Sequence, residues 1–331
     1  QKYIKDLLQK KVKMPTSIGY GNGYEVSYMN SGKMTNKGWE FRVDAVPFEN
    51  KDWRVGFYFN IAHNENKITE MPDNYTEENY TFGNGIYAYR REEGRPMGSF
   101  YGYRYKGVCQ NKDATYARDA DGNVMKDISG NAIVMRNGTA TIAPGDALYE
   151  DINHDGVINQ YDIVYLGNSN PRFTGGAGVN VSYKQFKLSA IFYGRYGQDV
   201  VNSTRLNNES MRGIDNQSTA VLRRWRNEGD QTDIPRALYG EGYNTLGSDR
   251  FVEDASYLRL KSLSFNYRLP KKIIQRWGFS NIDVYVTGYN LFTWTKYTGQ
   301  DPEVKTENTY ATDSATTPAS IQLVAGFNLS F

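Results

Sequence analysis

The sequence is poor in the residues that most often carry chemistry: one cysteine, Cys109, and two histidines, His63 and His154, in 331 residues. A single thiol excludes a disulfide framework within the chain and a thiolate metal cluster. Lysine and arginine number 39 against 37 aspartates and glutamates, a formal net charge of +2. Because no strong field of one sign is present, we predict no nucleic-acid partner.

Long apolar runs are absent as well. No run approaches the ~18 residues that indicate a membrane helix, and the mean hydropathy is -0.67. This excludes a helical membrane protein only, because every second side chain of a transmembrane strand faces the lumen and lowers the hydropathy. The 27 tyrosines and 15 phenylalanines are typical of strand-built membrane proteins, which carry interfacial belts of aromatic residues.

Strict alternation of apolar and polar residues is the pattern that is present. At the end of the chain the apolar residues are Ile321, Leu323, Ala325, Phe327, Leu329 and Phe331. In a strand, these side chains share one face. That face lies on a core in a soluble protein and on lipid in a membrane barrel.

The same alternation predicts about eight strands, with a short helical segment at 271–277. The predicted strands are residues 1–12, 38–47, 53–62, 175–183, 186–194, 257–269, 282–290 and 321–331. Leu258 and Leu260 break the alternation of their strand. The stretch Phe100–Tyr105 does not fit the count as a single crossing, so it is either extracellular or paired with a further strand.

The connections between the predicted strands alternate between short and long. Segments 47–52, 184–185 and 270–281 are short, whereas 63–174, 195–256 and 291–320 are long. Short turns at one end and long loops at the other are the layout of an outer-membrane barrel. Eight strands can close a small barrel or form one arc of a larger one, and loops of this length favour the arc.

One segment has the spacing of a metal loop. Asp151, Asn153, Asp155, Asn159 and Asp162 occupy positions 1, 3, 5, 9 and 12 of a twelve-residue loop with Gly156 at position 6, which is the spacing of an EF-hand. The backbone carbonyl of Val157 would be the ligand at position 7, and Ile158 would pack the loop against its surroundings. We predict a structural Ca²⁺ that fixes a long loop with little core of its own. The alternative is an Asx-rich turn that satisfies its own backbone.

Catalytic or ligand-binding residues are not otherwise indicated. A Ser-His-Asp arrangement would have to use His63, and chance explains that histidine better. Tyr101, Tyr103 and Tyr105 are candidates to stack on sugars, although tyrosines at a membrane interface explain them better. We therefore predict that the protein is not an enzyme.

Several motifs resemble the SusC/RagA group of TonB-dependent outer-membrane transporters. They are Asn36-Lys-Gly38-Trp-Glu40, Gly94-Arg-Pro96-Met-Gly98, Pro144-Gly-Asp146 before the D-x-N-x-D-G loop, Gly167-Asn-Ser-Asn170-Pro171-Arg-Phe, Val252-Glu-Asp254-Ala-Ser-Tyr-Leu-Arg259-Leu-Lys261 and the terminal Phe331. They follow the family order over nearly the whole chain.

The resemblance implies an all-β fold, in which residues 1–331 are the C-terminal portion of a large antiparallel transmembrane β-barrel of about 22 strands. Nothing in the sequence resembles the family's plug domain or TonB box. The implied location is the outer membrane of a Gram-negative bacterium, in contact with its lipid. The implied partners are a SusD-like lipoprotein and the TonB complex, and Phe331 is similar to the family's barrel-assembly signal.

The resemblance further implies active import of oligosaccharides or oligopeptides. The alternative from the residues alone is a soluble, calcium-stabilised all-β protein that binds carbohydrate or acts in adhesion, with the apolar faces forming a sandwich core. A calcium-dependent hydrolase has the least support, because spacing nominates no paired acid and base.

Overall fold

Eight long strands form one antiparallel sheet in the computed structural model, which describes residues 6–13, 26–71, 81–88, 90–240, 242–304, 306–307 and 310–331. Each strand pairs with the strands before and after it in the sheet, so the spatial order is the chain order. The strands are β1 (Asp6–Lys13), β2 (Val26–Glu49), β3 (Trp53–Glu70), β4 (Phe173–Tyr183), β5 (Phe186–Tyr196), β6 (Tyr257–Arg268), β7 (Asn281–Thr295) and β8 (Gln322–Ser330).

The predicted strands are confirmed where the structure describes them, while residues 1–5 of the predicted strand 1–12 lie outside the described residues. Three strands are much longer than the alternation indicated. β2, β3 and β7 have 24, 18 and 15 residues. The added part of β3 reads Asn64-Glu-Asn-Lys, where apolar residues no longer alternate. Hydrophobic patterning identifies a strand only where one face is apolar, so a strand with two polar faces escapes it.

β-Bulges explain two irregularities of the pattern. In the pairing of β6 with β5, Ile191 and Phe192 are consecutive but pair with Ser262 and Leu260, so Lys261 is one extra residue in β6. This extra residue returns Leu258 to the face occupied by Phe265, so the break in alternation keeps the apolar face continuous. In β2 a second shift lies between Ala45 and Phe48 and contains Pro47, whose missing N–H is tolerated at a bulge.

The apolar face of the sheet, here called the outward face, remains exposed. Phe57, Phe265 and Phe327 are 40%, 46% and 67% exposed on three different strands. In the described part of the chain, no second sheet packs on this face and the edge strands β1 and β8 do not pair with each other. The sandwich core expected of a soluble protein is therefore missing from the described residues.

The long connections are folded and contain most of the remaining elements. Short strands span Ser99–Gly102, Tyr105–Val108, Arg136–Asn137, Ala140–Thr141, Ala147–Tyr149, Val157–Ile158, Val164–Asn168, Asp199–Asn202, Val252–Asp254, Thr306–Glu307 and Tyr310–Asp313. Helix α1 spans Ser203–Asn208, and single 3₁₀ turns span Asp113–Thr115, Gln160–Asp162, Thr219–Arg223 and Asp249–Phe251. Helix α2 (Lys271–Ile274) and the turn Gln275–Trp277 confirm the helical segment predicted in the short connection. Among the described residues, no helix combines the length and the apolar character needed to cross a membrane.

The buried core lies in the three long connections and not against the sheet. Phe100 of the first connection packs with Val201 and Phe251 of the second. Val200 of the second packs with Tyr297 of the third. The clusters that join the connections are here called the connection core. The expectation that the first connection has little core of its own is therefore wrong.

Residues 116–134 add a small closed unit to the first connection. Ala117 donates its N–H to the Ile133 carbonyl, Ile133 to that of Met125, and Met125 to that of Ala117, each at 2.9 Å. Two Asx turns that begin at Asp119 and Asp127 join the three segments. This ring pairs the backbone groups of its three segments around the buried Ala117, while the two turns are exposed.

We expect opposite effects of an arginine on the two faces of β3. Phe57→Arg places a charge on the outward face and should destabilise the assembled protein by ~2–4 kcal/mol if the position lies near the bilayer midplane, whereas Asn60→Arg on the other face should be tolerated. Equilibrium unfolding in liposomes measures both changes. Equal tolerance of the two arginines would contradict a lipid-facing role for the outward face.

Candidate functional site

The loop 151–162 folds as its spacing predicts in two respects. Gly156 adopts φ 82° at the sharp turn, where a side chain would be strained. Ile158 is completely buried in a cluster with Tyr103, Tyr149 and Leu246. The loop is therefore attached to the connection core through its eighth position.

The first carboxylates of this loop accept hydrogen bonds from the loop's own backbone. Asp151 accepts the N–H of Gly156 at 2.8 Å and that of Asp155 at 3.3 Å. Asp155 accepts the N–H of Val157 at 2.7 Å and an amide hydrogen of Asn153 at 2.9 Å. These contacts are Asx-turn hydrogen bonds, which hold a sharp turn without an ion.

The last carboxylate closes the loop on its beginning. Asp162 is fully buried and accepts the N–H groups of Ile152 and Asn159, each at 2.8 Å. Burial raises the pKa of this carboxyl, and the backbone hydrogen bonds oppose that rise. The carbonyl of Val157 accepts a hydrogen bond from the Asn159 side chain at 2.9 Å.

Among the described residues, no three acidic, histidine or cysteine side chains lie close enough together to hold an ion. The Asx-rich turn accounts for the contacts of Asp151, Asp155 and Asp162. Calcium binding therefore stays a prediction from the spacing alone.

Three of the sequence motifs meet through asparagine side chains. The contact lies in the part of β2 and β3 nearest the first long connection. Asn66 of β3 donates its amide to the Asn36 side chain at 2.8 Å and accepts the N–H of Met97 at 2.7 Å. Asn170 donates to the Met97 carbonyl at 2.6 Å. Gly38 is needed beside this junction, because a Cβ there would lie 2.4 Å from the His63 carbonyl oxygen.

The Pro144-Gly-Asp146 motif joins the first long connection to the second. Asp146 is buried and accepts two hydrogen bonds from the Arg236 guanidinium, at 2.7 and 3.1 Å, and one from Asn244 at 3.1 Å. A Cβ at Gly145 would lie 2.3 Å from the Trp225 ring. The motif is therefore a packing junction whose paired Arg–carboxylate geometry fixes the two connections together.

The three tyrosines considered for sugar stacking are packed inside the connections: Tyr103 belongs to the cluster of Ile158, Tyr105 packs against that cluster, and Tyr101 is buried. Tyr101 and Tyr103 are each only 1% exposed, so neither ring is available to a sugar or to the membrane interface. The hydroxyl of Tyr101 donates to Glu92 at 3.0 Å. Their segment, Ser99–Gly102, pairs with Val164–Asn168 outside the main sheet, which identifies the unplaced stretch as part of the loop.

The reasoning from sequence missed an ion network on the face of β6 opposite the outward face. The Arg259 side chain is 3% exposed and donates to Glu303 at 2.8 Å and to Asp301. Lys261 also donates to Glu303 at 2.8 Å. The motif that runs from Val252 to Lys261 already indicated this network, because Arg259 and Lys261 alternate there with the outward residues Leu258 and Leu260.

A second missed network joins α1 to the end of the second connection. The buried Arg250 donates to Glu209 at 2.7 Å, and Arg205 contacts both Glu209 and Glu253, at 2.9 and 3.2 Å. Glu253 also accepts the N–H of Thr298 at 2.9 Å. The Arg259 network holds the third connection to β6, and Glu253 holds it to the second connection, in both cases by charge-assisted hydrogen bonds.

Removal of the Arg259 guanidinium should destabilise the protein strongly. Arg259→Gln leaves two carboxylates without their buried partner, and the expected cost is about 3–5 kcal/mol. Arg42→Gln is the matched control, because the Arg42–Asp44 pair is largely exposed and its loss should change the stability much less. Equilibrium chemical unfolding in detergent compares the two, and similar losses would argue against a fixed third connection.

Comparison with known proteins agrees with the motifs. No protein-family model matches the chain. Over 302 residues, or 89% of the chain, it is 32% identical to TonB-dependent receptor P3 of Formosa agariphila. It is 25% identical over 336 residues to TonB-dependent receptor SusC of Bacteroides thetaiotaomicron. The chain spans 28% and 29% of the lengths of these two relatives.

Comparison of the fold with solved structures agrees with the sequence comparison. A solved structure of the RagAB peptide transporter matches 97% of the chain with a TM-score of 0.68 and 26% identity, and the match covers 31% of that protein. A structure of the RagAB peptide importer in its closed-closed state matches with a TM-score of 0.69 and 25% identity. These likenesses confirm the predicted resemblance: along nearly all its length the chain is similar in sequence and fold to a part of a SusC/RagA-like TonB-dependent transporter.

Proposed function

We propose that the protein takes part in TonB-dependent import of oligosaccharides or oligopeptides across the outer membrane. The observation that carries this proposal is the exposed outward face of an eight-stranded sheet that matches a solved peptide transporter along 97% of the chain. A face of this kind is favourable in hydrocarbon and unfavourable in water. Import is a property of the whole transporter. This chain contributes to it a part of the barrel wall and the long loops of that part.

The partners follow from the same likeness. We propose that the TonB complex supplies energy to the complete transporter and that a SusD-like lipoprotein lies at the cell surface. The long connections support this second partner, because they form one folded layer at a single end of the sheet. A folded layer offers a fixed surface to a lid, at a smaller entropic cost than mobile loops would carry.

The face opposite the outward face carries hydroxyl and amide groups that can form hydrogen bonds with a substrate. Ser264 and Thr287 share a hydrogen bond at 2.8 Å on adjacent strands, and Ser189 donates to Asn180 at 2.7 Å. Hydroxyl and amide groups exchange hydrogen bonds with sugar hydroxyls and with peptide groups alike. This surface therefore fits both proposed substrate classes.

Deletion of the gene should abolish uptake of one of the two classes. The strain is grown on mixed oligosaccharides and on mixed oligopeptides, and depletion of each from the medium is followed by mass spectrometry. We expect loss of depletion for one class and its return on complementation with the complete gene. Unchanged depletion of both classes would contradict the import role.

A calcium ion in loop 151–162 is proposed from the spacing, and thermal unfolding tests it. Saturation at 100 times the dissociation constant should stabilise the folded state by about 2.7 kcal/mol relative to chelator. The double variant Asp151→Asn with Asp155→Asn should lose this calcium-dependent rise in Tm. Asp127→Asn is the matched control, since it alters an Asx turn of the same connection outside the loop. Equal Tm values with calcium and with chelator would rule the ion out.

A further inference from the structure

Three cations lie together on the face of the sheet opposite the outward face, here called the inward face. Arg195 belongs to β5, whereas Arg259 and Lys261 belong to the adjacent strand β6. The ring centre of Tyr193 is 5.9 Å from the Arg195 guanidinium carbon and 5.7 Å from the Lys261 ammonium. Tyr257 pairs with Arg195 across the strands, and its ring centre is 5.4 Å from the Arg259 guanidinium carbon. These three cations and two tyrosines are here called the cation cluster.

Two of the three cations hold carboxylates of the third connection. Asp301 and Glu303 both accept hydrogen bonds from the Arg259 guanidinium, and Glu303 also accepts one from the Lys261 ammonium at 2.8 Å. The Arg259 side chain is buried in this contact. Since carboxylates occupy two of the three cations, the cation cluster shows which chemical group suits it.

The charge of the third cation, Arg195, has no such partner. Its Nε donates to the Tyr193 hydroxyl at 3.2 Å, which is a neutral group, and the Tyr193 ring lies at the outer limit of about 6 Å for a cation–π contact. Among the side chains that the structure describes, no carboxylate lies within ion-pair distance of Arg195. Three cations therefore face two carboxylates, Asp301 and Glu303, and one positive charge remains in excess.

The surroundings of Arg195 leave room for a ligand. The residue paired with it on β4 is Thr174, the next inward residue of β4 is Gly176, and Ala62 of β3 pairs with Thr174. Because these side chains are small, the inward face is low beside Arg195, whose own side chain is partly exposed. On the other side, the buried hydroxyl of Tyr257 has no hydrogen-bond partner among the described residues. Unused hydrogen-bonding capacity therefore lies next to the unpaired cation.

We propose that Arg195 binds a carboxylate of the imported substrate. A guanidinium presents two parallel N–H groups to one carboxylate, as Arg236 does to Asp146 in this chain. A carboxylate neutralises the excess charge of the cation cluster, whereas an uncharged substrate leaves it unbalanced. Uronic acids of oligosaccharides and the C-termini of oligopeptides share this chemistry. The inference rests on the proposed import function and narrows it to the acidic members of either substrate class.

Isothermal titration calorimetry of the complete transporter in detergent tests this proposal with two pairs of probes. One pair is trialanine and trialanine amide, and the other is trigalacturonate and its methyl ester. In the pair that matches the imported class, we expect the acid to bind about tenfold more tightly than the neutral form, a difference of about 1.4 kcal/mol. Equal binding of acid and neutral form in both pairs would overturn the proposal and leave import standing. Failure of all four probes to bind would count against both.

Variants of Arg195 assign the preference to this side chain. Arg195→Gln should abolish the preference for the acid, whereas Arg195→Lys should keep part of it, because lysine retains the charge and loses the paired N–H groups. Arg54→Gln is the matched control, since it removes an exposed arginine of the same face near the short turns. The neutral probes should bind equally to all three variants. An unchanged preference in Arg195→Gln, or an equal loss in Arg54→Gln, would overturn the proposal.

Discussion

The exposed outward face of the sheet is the constraint on which the rest of the structure depends. Because hydrocarbon offers no hydrogen bonds, each backbone group there must pair with a neighbouring strand. The unbroken order of the eight strands meets this demand. This order also places the short turns at one end of the sheet and the three long connections at the other. The connection core therefore lies at one end of the sheet.

The long connections lie beyond the sheet, so they cannot bury apolar side chains against it and need a core of their own. Phe100, Val200 and Tyr297 come from three connections and belong to clusters that join them. Buried ion pairs fix the relative orientation of the packed segments, because Arg259 donates to Asp301 and Asp146 accepts from Arg236 in defined geometries. The sequence motifs that contain Asp146 and Arg259 lie at these junctions.

The strands were predictable from the sequence because a lipid-facing strand carries its own period, as in Phe57, Phe59 and Ile61. Loop packing was not predictable, since no period reports that Tyr101 and Tyr103 are buried. For the loop 151–162, spacing revealed the turn at Gly156 and the buried Ile158, but it does not distinguish a metal ligand from an Asx turn. Arg259 escaped notice because its partners, Asp301 and Glu303, are about 40 residues away.

The connection core bears on how such proteins can be altered by evolution or design. A loop that packs only on itself can be exchanged for another and bring a new specificity with it. Here an exchange of the second connection would remove Val201 and Phe251 from a cluster that also holds Phe100. The three connections therefore form a single heritable unit, and a transplant would have to carry all of them. The two-residue turn Lys184–Gln185 at the opposite end is free of this restriction.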